Sequence, residues 1–216
     1  MIDSSDFTIP GTGVLKNKLG ITDPADLSRA AADSAALRLT ELQASPIRGG
    51  FDSTHLQAIH YHLYQDVYNW AGELRPIDAG DVPASHIEKS LNSVFDRLSG
   101  ENQPKGLSAE EWARSASAYI HELGTIQPFL AGNEITIHEF AIELARKNNL
   151  SLQWDAPAEL AVENADVQGQ LLEQSANLRR MVMLAMDTNP IFLKPDRGKT
   201  IENGIERVVF LGNPLL

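Results

Sequence analysis

QPFLAGNEITIH, residues 127–138, decides how this chain folds, because its character changes halfway along. Gly132-Asn133 marks a tight loop, and the residues from about Asn133 to Asn148 read as a helix. A loop that opens directly into a helix leaves the first backbone amides of that helix without intrahelical partners, which makes an anion hole. Glu134 then sets a carboxylate in the first turn. It has two readings: a charge stabilised by the helix dipole, or an anion that occupies the hole and repels phosphate.

Working outward, FDSTHLQAIHYHLYQDVYNWAGELR at residues 51–75 carries Leu56, Ile59, Leu63 and Val67 at helical spacing. Asp52 or Ser53 can cap this helix, and Ala71-Gly72 ends it. Residues 74–83 hold Pro76, Gly80 and Pro83 and read as a loop or short β-hairpin. Thr22 or Asp23 before Pro24 opens a helix over 24–44. Further helices are expected at 85–99 and at 108–124, the latter opened by Ser108 with Glu111 in capping-box spacing. Residues 157–187 read as one or two helices with Leu171, Leu172, Leu178, Met181, Val182 and Met186 on an apolar face, the methionines as core filler. From Asn189 prolines and glycines punctuate the chain, and Arg207 to Leu211 looks like a strand. The expected fold is mainly α, with one domain over 1–188 and a tail or appended module over 189–216.

Composition narrows the function. At 216 residues and 43% hydrophobic content the chain can bury one full core. It contains no cysteine, which excludes disulfides, thiolate metal sites and a cysteine nucleophile. A formal charge of −11 argues against nucleic acid as a partner, since phosphate-backbone binding draws on clustered Lys and Arg. No apolar run reaches the roughly 20 residues of a membrane span. The start, MIDSSDFTIPG, has neither a basic region nor an apolar core for a Sec signal, so a cytoplasmic protein is expected. Translocation by a type IV system would leave no such trace.

The loop at 127–138 and the segment at 51–75 together resemble the Fic family, and weaker similarity runs from Gly13 to about Asp155. The family motif is His-x-Phe-x-Asp/Glu-Gly-Asn-Gly/Lys-Arg-x-x-Arg. Pro128, Phe129, Gly132 and Asn133 match, whereas Gln127, Ala131, Glu134, Ile135 and His138 stand where the family has its chemistry. The resemblance implies a helical bundle with a short β-hairpin flap at 74–83, which docks a target chain by strand addition. It also implies transfer of AMP from ATP to a hydroxyl side chain of another protein. In that chemistry the motif histidine is the general base, the acidic residue holds magnesium and two arginines grip the phosphates. Gln127 has no basic site, Ala131 no oxygen ligand in its side chain, and Ile135 no donor. His138 offers at most a partial replacement for the second arginine.

These departures lead to the expectation of a catalytically degenerate member, a pseudoenzyme without protein adenylylation that acts by binding a protein partner. That partner would be a target, an antitoxin-like protein or an active Fic relative of the toxin or effector kind. A transferase of another class with a different nucleotide-linked or phosphate donor is the alternative, with His138, Glu134 or Glu73 as base. A divergent adenylyltransferase ranks last. No cofactor is expected, and ATP and magnesium binding are expected to be weak or absent. Candidate ligand contacts are Phe129, Gly132, Asn133, Glu134 and His138; candidate flap or docking residues are Glu73, Arg75, Ile77 and Asp78. No metal site is expected: His55, His60, His62 and Asp66 read as structural or exposed, and Trp70 as packing.

Overall fold

The computed structural model describes residues 4–154, apart from 102, 104 and 108, together with 206–210. Five helices follow one another: α1 (Pro24–Ala44), α2 (Ser53–Tyr64), α3 (Ala84–Gly100), α4 (Ala109–Ile126) and α5 (Asn133–Lys147). Two short strands, β1 (Leu150–Trp154) and β2 (Glu206–Phe210), pair in parallel with Leu150 opposite Glu206 and Trp154 opposite Phe210. The fold is mainly α. The helices expected over 157–187, their methionines, and the tail outside β2 lie beyond the described residues, as does the proposed cap Ser108.

Helices α1, α2 and α3 begin where a short polar side chain can take an orphan amide. Asp23 accepts from the backbone N–H groups of Ala25 and Asp26 at 2.9 and 3.0 Å, and Pro24 fills the first helical position, where no N–H is needed. Asp52 accepts from the His55 N–H at 2.9 Å to open α2. Pro83 precedes α3 and offers no side-chain cap, so Asp78 reaches across from the loop and accepts from the Ala84 N–H at 2.7 Å.

Helix α2 ends earlier than its apolar pattern implies. It stops at Tyr64 rather than continuing to Ala71, and the chain passes through turns to Gly72. The reason lies far away in sequence: Lys18 donates its backbone N–H to Val67 O at 2.8 Å and its Nζ to Gln65 O at 2.5 Å, so carbonyls that would continue the helix are taken by the N-terminal segment. Arg38 of α1 secures the same turn by pairing with Asp66 at 2.7 Å.

The expected β-hairpin flap is not formed. Residues 74–83 run through extended backbone and bends without strand pairing. The two prolines in this stretch lack the N–H groups a ladder needs, and its carbonyls are turned inward onto Arg75, as described below.

Helix α5 is the centre of the bundle, packed against α2, α4 and β1. Phe140 on α5 sits in an aromatic cluster, with ring centroids 5.6 Å from Phe51, 5.6 Å from Phe95 of α3 and 5.8 Å from His55 of α2. Around it Leu56, Ile59, Leu63, Leu91, Leu98 and Ile137 have essentially no exposed surface. His55 and Glu143 are also buried there, bonded to each other at 2.8 Å, and the other Glu143 oxygen accepts from the Ile47 N–H at 3.2 Å. Among the described residues no helix is long and apolar enough to cross a membrane. Because Phe140 joins three helices, Phe140→Ala should destabilise the domain by about 3–5 kcal/mol. Urea denaturation checks this, and a loss below about 1 kcal/mol would show that the cluster does not carry the packing assigned to it.

Candidate functional site at the start of helix α5

The loop before α5 is folded onto itself by Asn133. Its side-chain carbonyl accepts from the Phe129 N–H at 2.9 Å while its amide donates to Phe129 O at 2.9 Å, so one residue closes both ends of a five-residue ring. Gly132 forms the N-cap at φ 75°, a left-handed conformation that glycine adopts without strain. Glycine is required there for a second reason: a Cβ would lie 2.3 Å from the Tyr64 ring. Gly132, the N-cap of α5, has no side chain to take the first-turn amides, in keeping with the anion-hole arrangement expected from the sequence. Thr136 instead closes the turn from inside, donating Oγ1 to Gly132 O at 2.7 Å.

Two residues outside the motif fasten the loop to the bundle. His60 is fully buried on α2, with its ring stacked 3.8 Å from that of Phe129. Its Nδ1 accepts from the Gly72 N–H at 2.8 Å, which leaves Nε2 as the protonated nitrogen that donates to Ala131 O at 3.0 Å. Burial lowers its pKa to about 4. Arg75 is also buried, with Nε donating to Gln127 O at 2.7 Å and its backbone N–H donating to Pro128 O at 2.8 Å.

The motif positions fall into distinct places. Phe129 is buried as the floor of the loop. Ala131 and Ile135 are half-buried against the core. Glu134 lies in the first turn of α5 near the Tyr64 phenol, whose pKa is raised chiefly by burial, with Tyr68 and Glu134 adding to the effect. His138, one turn further along, is half-buried, and burial lowers its pKa to about 4, which makes it a poor base near neutrality. Gln127 has a left-handed backbone at φ 47°, with its side-chain oxygen beside Gly80 in the flap.

The docking candidates divide. Glu73 and Asp78 are exposed, Asp78 serving as the cap of α3, and Ile77 is half-buried with its carbonyl on Arg75. Arg75 points into the protein and offers no docking surface, which sequence spacing could not reveal. His55 meets Glu143, and His62 lies 3.2 Å from Glu41, so these histidines face different partners. Trp70 packs with its ring 4.2 Å from that of Tyr68. The sequence placed His60 among structural or exposed histidines and Arg75 among docking candidates; their role as fasteners was hidden because it rests on contacts to Ala131, Gln127 and Pro128 more than fifty positions away.

Three groups, each with a pKa shifted by burial, make stability depend on pH. His60 and His138 titrate near 4 in the fold against 6.5 when free, so their neutral forms support the fold fully above pH 6.5 and that support is lost as pH falls towards 4. Glu139 on α5 works the other way: burial, reinforced by Glu143 and opposed by Arg146, raises its pKa from 4.5 to about 7, so its contribution is present below pH 4.5 and lost as pH rises to 7. Between pH 6.5 and 4.5 the folded chain thus holds a proton on Glu139 while the unfolded chain holds protons on both histidines. Glu139→Gln removes the opposing proton and should steepen the loss of stability in this window by about 1.4 kcal/mol per pH unit. Urea titrations of both proteins at several pH values measure the slopes, and parallel slopes would contradict the assignment.

Comparison with known proteins gives the site its context. The profile of the Fic/DOC family matches residues 50–145, which span the fasteners and the loop. Protein adenylyltransferase VbhT of Bartonella schoenbuchensis is 37% identical over 154 residues, covering 69% of this chain and 32% of its own length. The chain thus spans about a third of that relative. A probable protein adenylyltransferase Fic of Salmonella typhimurium is 33% identical over 175 residues, covering 79% of this chain and 86% of the relative. Among solved structures, BepC, a VirB-translocated Bartonella effector protein from Bartonella tribocorum with bound AMPPNP, superposes with a TM-score of 0.68 at 23% identity, covering 85% of this chain and 95% of that one. These relatives overturn the expectation of a non-catalytic protein that works by binding a partner: the curated proteins that match this region are named as protein adenylyltransferases, which supports a transferase. The same fold, loop and flanking helices make this chain a member of the Fic/DOC family.

Proposed function

We propose that this domain is a protein adenylyltransferase of the Fic type, with a site that relies on positioning more than on general-base and metal chemistry. The observation that carries the reading is the preformed loop: Asn133 closes it and Gly132 leads, without a side chain of its own, into the first-turn amides of α5 as an anion hole at the motif position, in a chain whose relatives are named for this activity. The AMPPNP bound to the BepC structure supports a nucleoside triphosphate as the ligand class. A protein acceptor follows from the relatives' names, and translocation into a recipient cell is part of the proposal on the analogy of the effector neighbours.

In the reaction an acceptor hydroxyl oxygen attacks the α-phosphorus of ATP. A new P–O bond forms, the bond to the β-phosphate oxygen breaks, pyrophosphate leaves, and the hydroxyl proton passes to water. Phosphoryl transfer asks more for alignment and charge stabilisation than for covalent help, so the domain can work slowly without a histidine at 127. The missing base costs about 10²- to 10⁴-fold in rate. Backbone amides at 133–135 would take the phosphate charge that the motif arginines take elsewhere.

Magnesium does not fit this site as it fits the family motif. Ala131 carries no oxygen ligand, its methyl packs on the core, and its carbonyl already accepts from His60. Among the described residues no cluster of His, Asp or Glu could hold a metal ion. Weak ATP and magnesium binding is therefore part of the proposal, and Glu134 near the hole adds repulsion.

The test is labelling of protein by ATP carrying radioactive phosphorus in the α position or, separately, in the γ position. Protein should take label from α-labelled ATP alone, and Gly132→Val should abolish it, since valine meets both the left-handed backbone and the Tyr64 ring. Absence of α-label above the Gly132→Val level, with both proteins folded by circular dichroism, would overturn the reading.

A further inference from the structure

Arg75 makes contacts that a docking residue would not. Its side chain is 2% exposed, and it donates to four main-chain carbonyls: Gln127 O at 2.7 Å, Ile77 O at 2.7 Å, Val82 O at 2.5 Å and Ile126 O at 3.3 Å. Among the described residues it forms no ion pair within salt-bridge distance. Its charge faces the carbonyl end of α4, where the helix dipole is negative, so the buried cation is compensated by the helix end it caps.

Those four carbonyls belong to two different segments. Ile77 and Val82 lie in the flap, while Ile126 and Gln127 lead into the loop that ends at α5. The Arg75 backbone N–H adds a bond to Pro128 O at 2.8 Å. Gln127 stands in a left-handed conformation, uncommon for a side chain of its size, and the bond to its carbonyl helps hold it there. Above it, Gly80 has φ 115°, and a Cβ on Gly80 would lie 2.6 Å from Gln127 Oε1 and 3.9 Å from Arg75 Nη2. The flap therefore lies against the Gln127 amide, which a side chain at Gly80 would have to displace, and within van der Waals reach of the guanidinium.

We propose that Arg75 is a positioning residue that joins the flap and the α5 loop into one rigid unit, fixing the distance between a protein acceptor laid on the flap and the phosphate held at the loop. The proposal rests on the transferase reading for its functional meaning, but the clamp itself stands on geometry alone. A planar fork is needed because the acceptors lie in several directions around one centre; a lysine at the same place supplies a point charge that reaches some of them.

The experiment compares wild type, Arg75→Met, Arg75→Lys and a destabilised control, Leu27→Ala, whose side chain is buried on α1 away from the loop. Hydrogen exchange should rise at least about tenfold in residues 77–82 and 124–127 of Arg75→Met, beyond any change in α1 or in the second half of α5, with Arg75→Lys intermediate. Leu27→Ala should raise exchange without that localisation. In the α-label assay Arg75→Met should lower kcat/KM for the protein acceptor at least about tenfold while the KM for ATP changes less than about twofold. Exchange that rises evenly across the domain, or not at all, would overturn the clamp. Localised exchange with the KM for ATP rising as far as the acceptor kcat/KM falls would overturn the positioning role. If wild type transfers no label, the exchange comparison still decides the clamp, and the failure belongs to the transferase reading.

Discussion

The neutral imidazole of His60 is the contact on which the arrangement of the site depends. It has one acceptor and one donor, and both are used: Gly72 N–H on one side, Ala131 O on the other. Protonation would set a donor against the Gly72 N–H, and burial already disfavours the charged form, so hydrogen bonding and desolvation select the same state. Its ring lies flat on Phe129, so the floor of the loop, the turn after α2 and α2 itself are located by a single side chain.

Arg75 does for the other edge of the loop what His60 does for its centre, and Asn133 closes the loop from within. The shape of the loop is thus set largely by residues that do no chemistry. That separation explains how the motif positions can differ while the frame persists. The side chains of Ala131 and Ile135 lean on the core, while His60 holds the loop through the Ala131 carbonyl. A site of this kind keeps its alignment when side-chain donors and a base are absent, which is what the proposed slow transfer requires.

Legibility in the sequence followed the range of the interactions. Helix α1 spans Pro24–Ala44, as its local cap and apolar spacing imply, because Asp23 and Pro24 act on their immediate neighbours. The early end of α2 was hidden, since Lys18 takes the carbonyls of Gln65 and Val67 from nearly fifty residues away. The stretch 74–83 read as a loop or short hairpin from Pro76, Gly80 and Pro83, and as a docking edge through the resemblance to the Fic family. Nothing local shows that Arg75 turns inward and draws the flap carbonyls with it. His60 and His62 are indistinguishable by spacing, yet one locates the loop and the other meets Glu41 at the surface. The position of the loop itself was readable, because Gly132-Asn133 before a helical pattern has few other uses.

Everything proposed for the site depends on whether the start of α5 receives a nucleotide phosphate. Amide chemical shifts recorded by NMR during a titration with ATP, with and without magnesium, ask this without requiring turnover. Saturable shifts are expected at millimolar nucleotide, centred on Gly132, Asn133, Glu134 and Ile135, little changed by magnesium and absent in Gly132→Val. Shifts centred elsewhere on the domain, or none at saturating ATP, would contradict the proposed function.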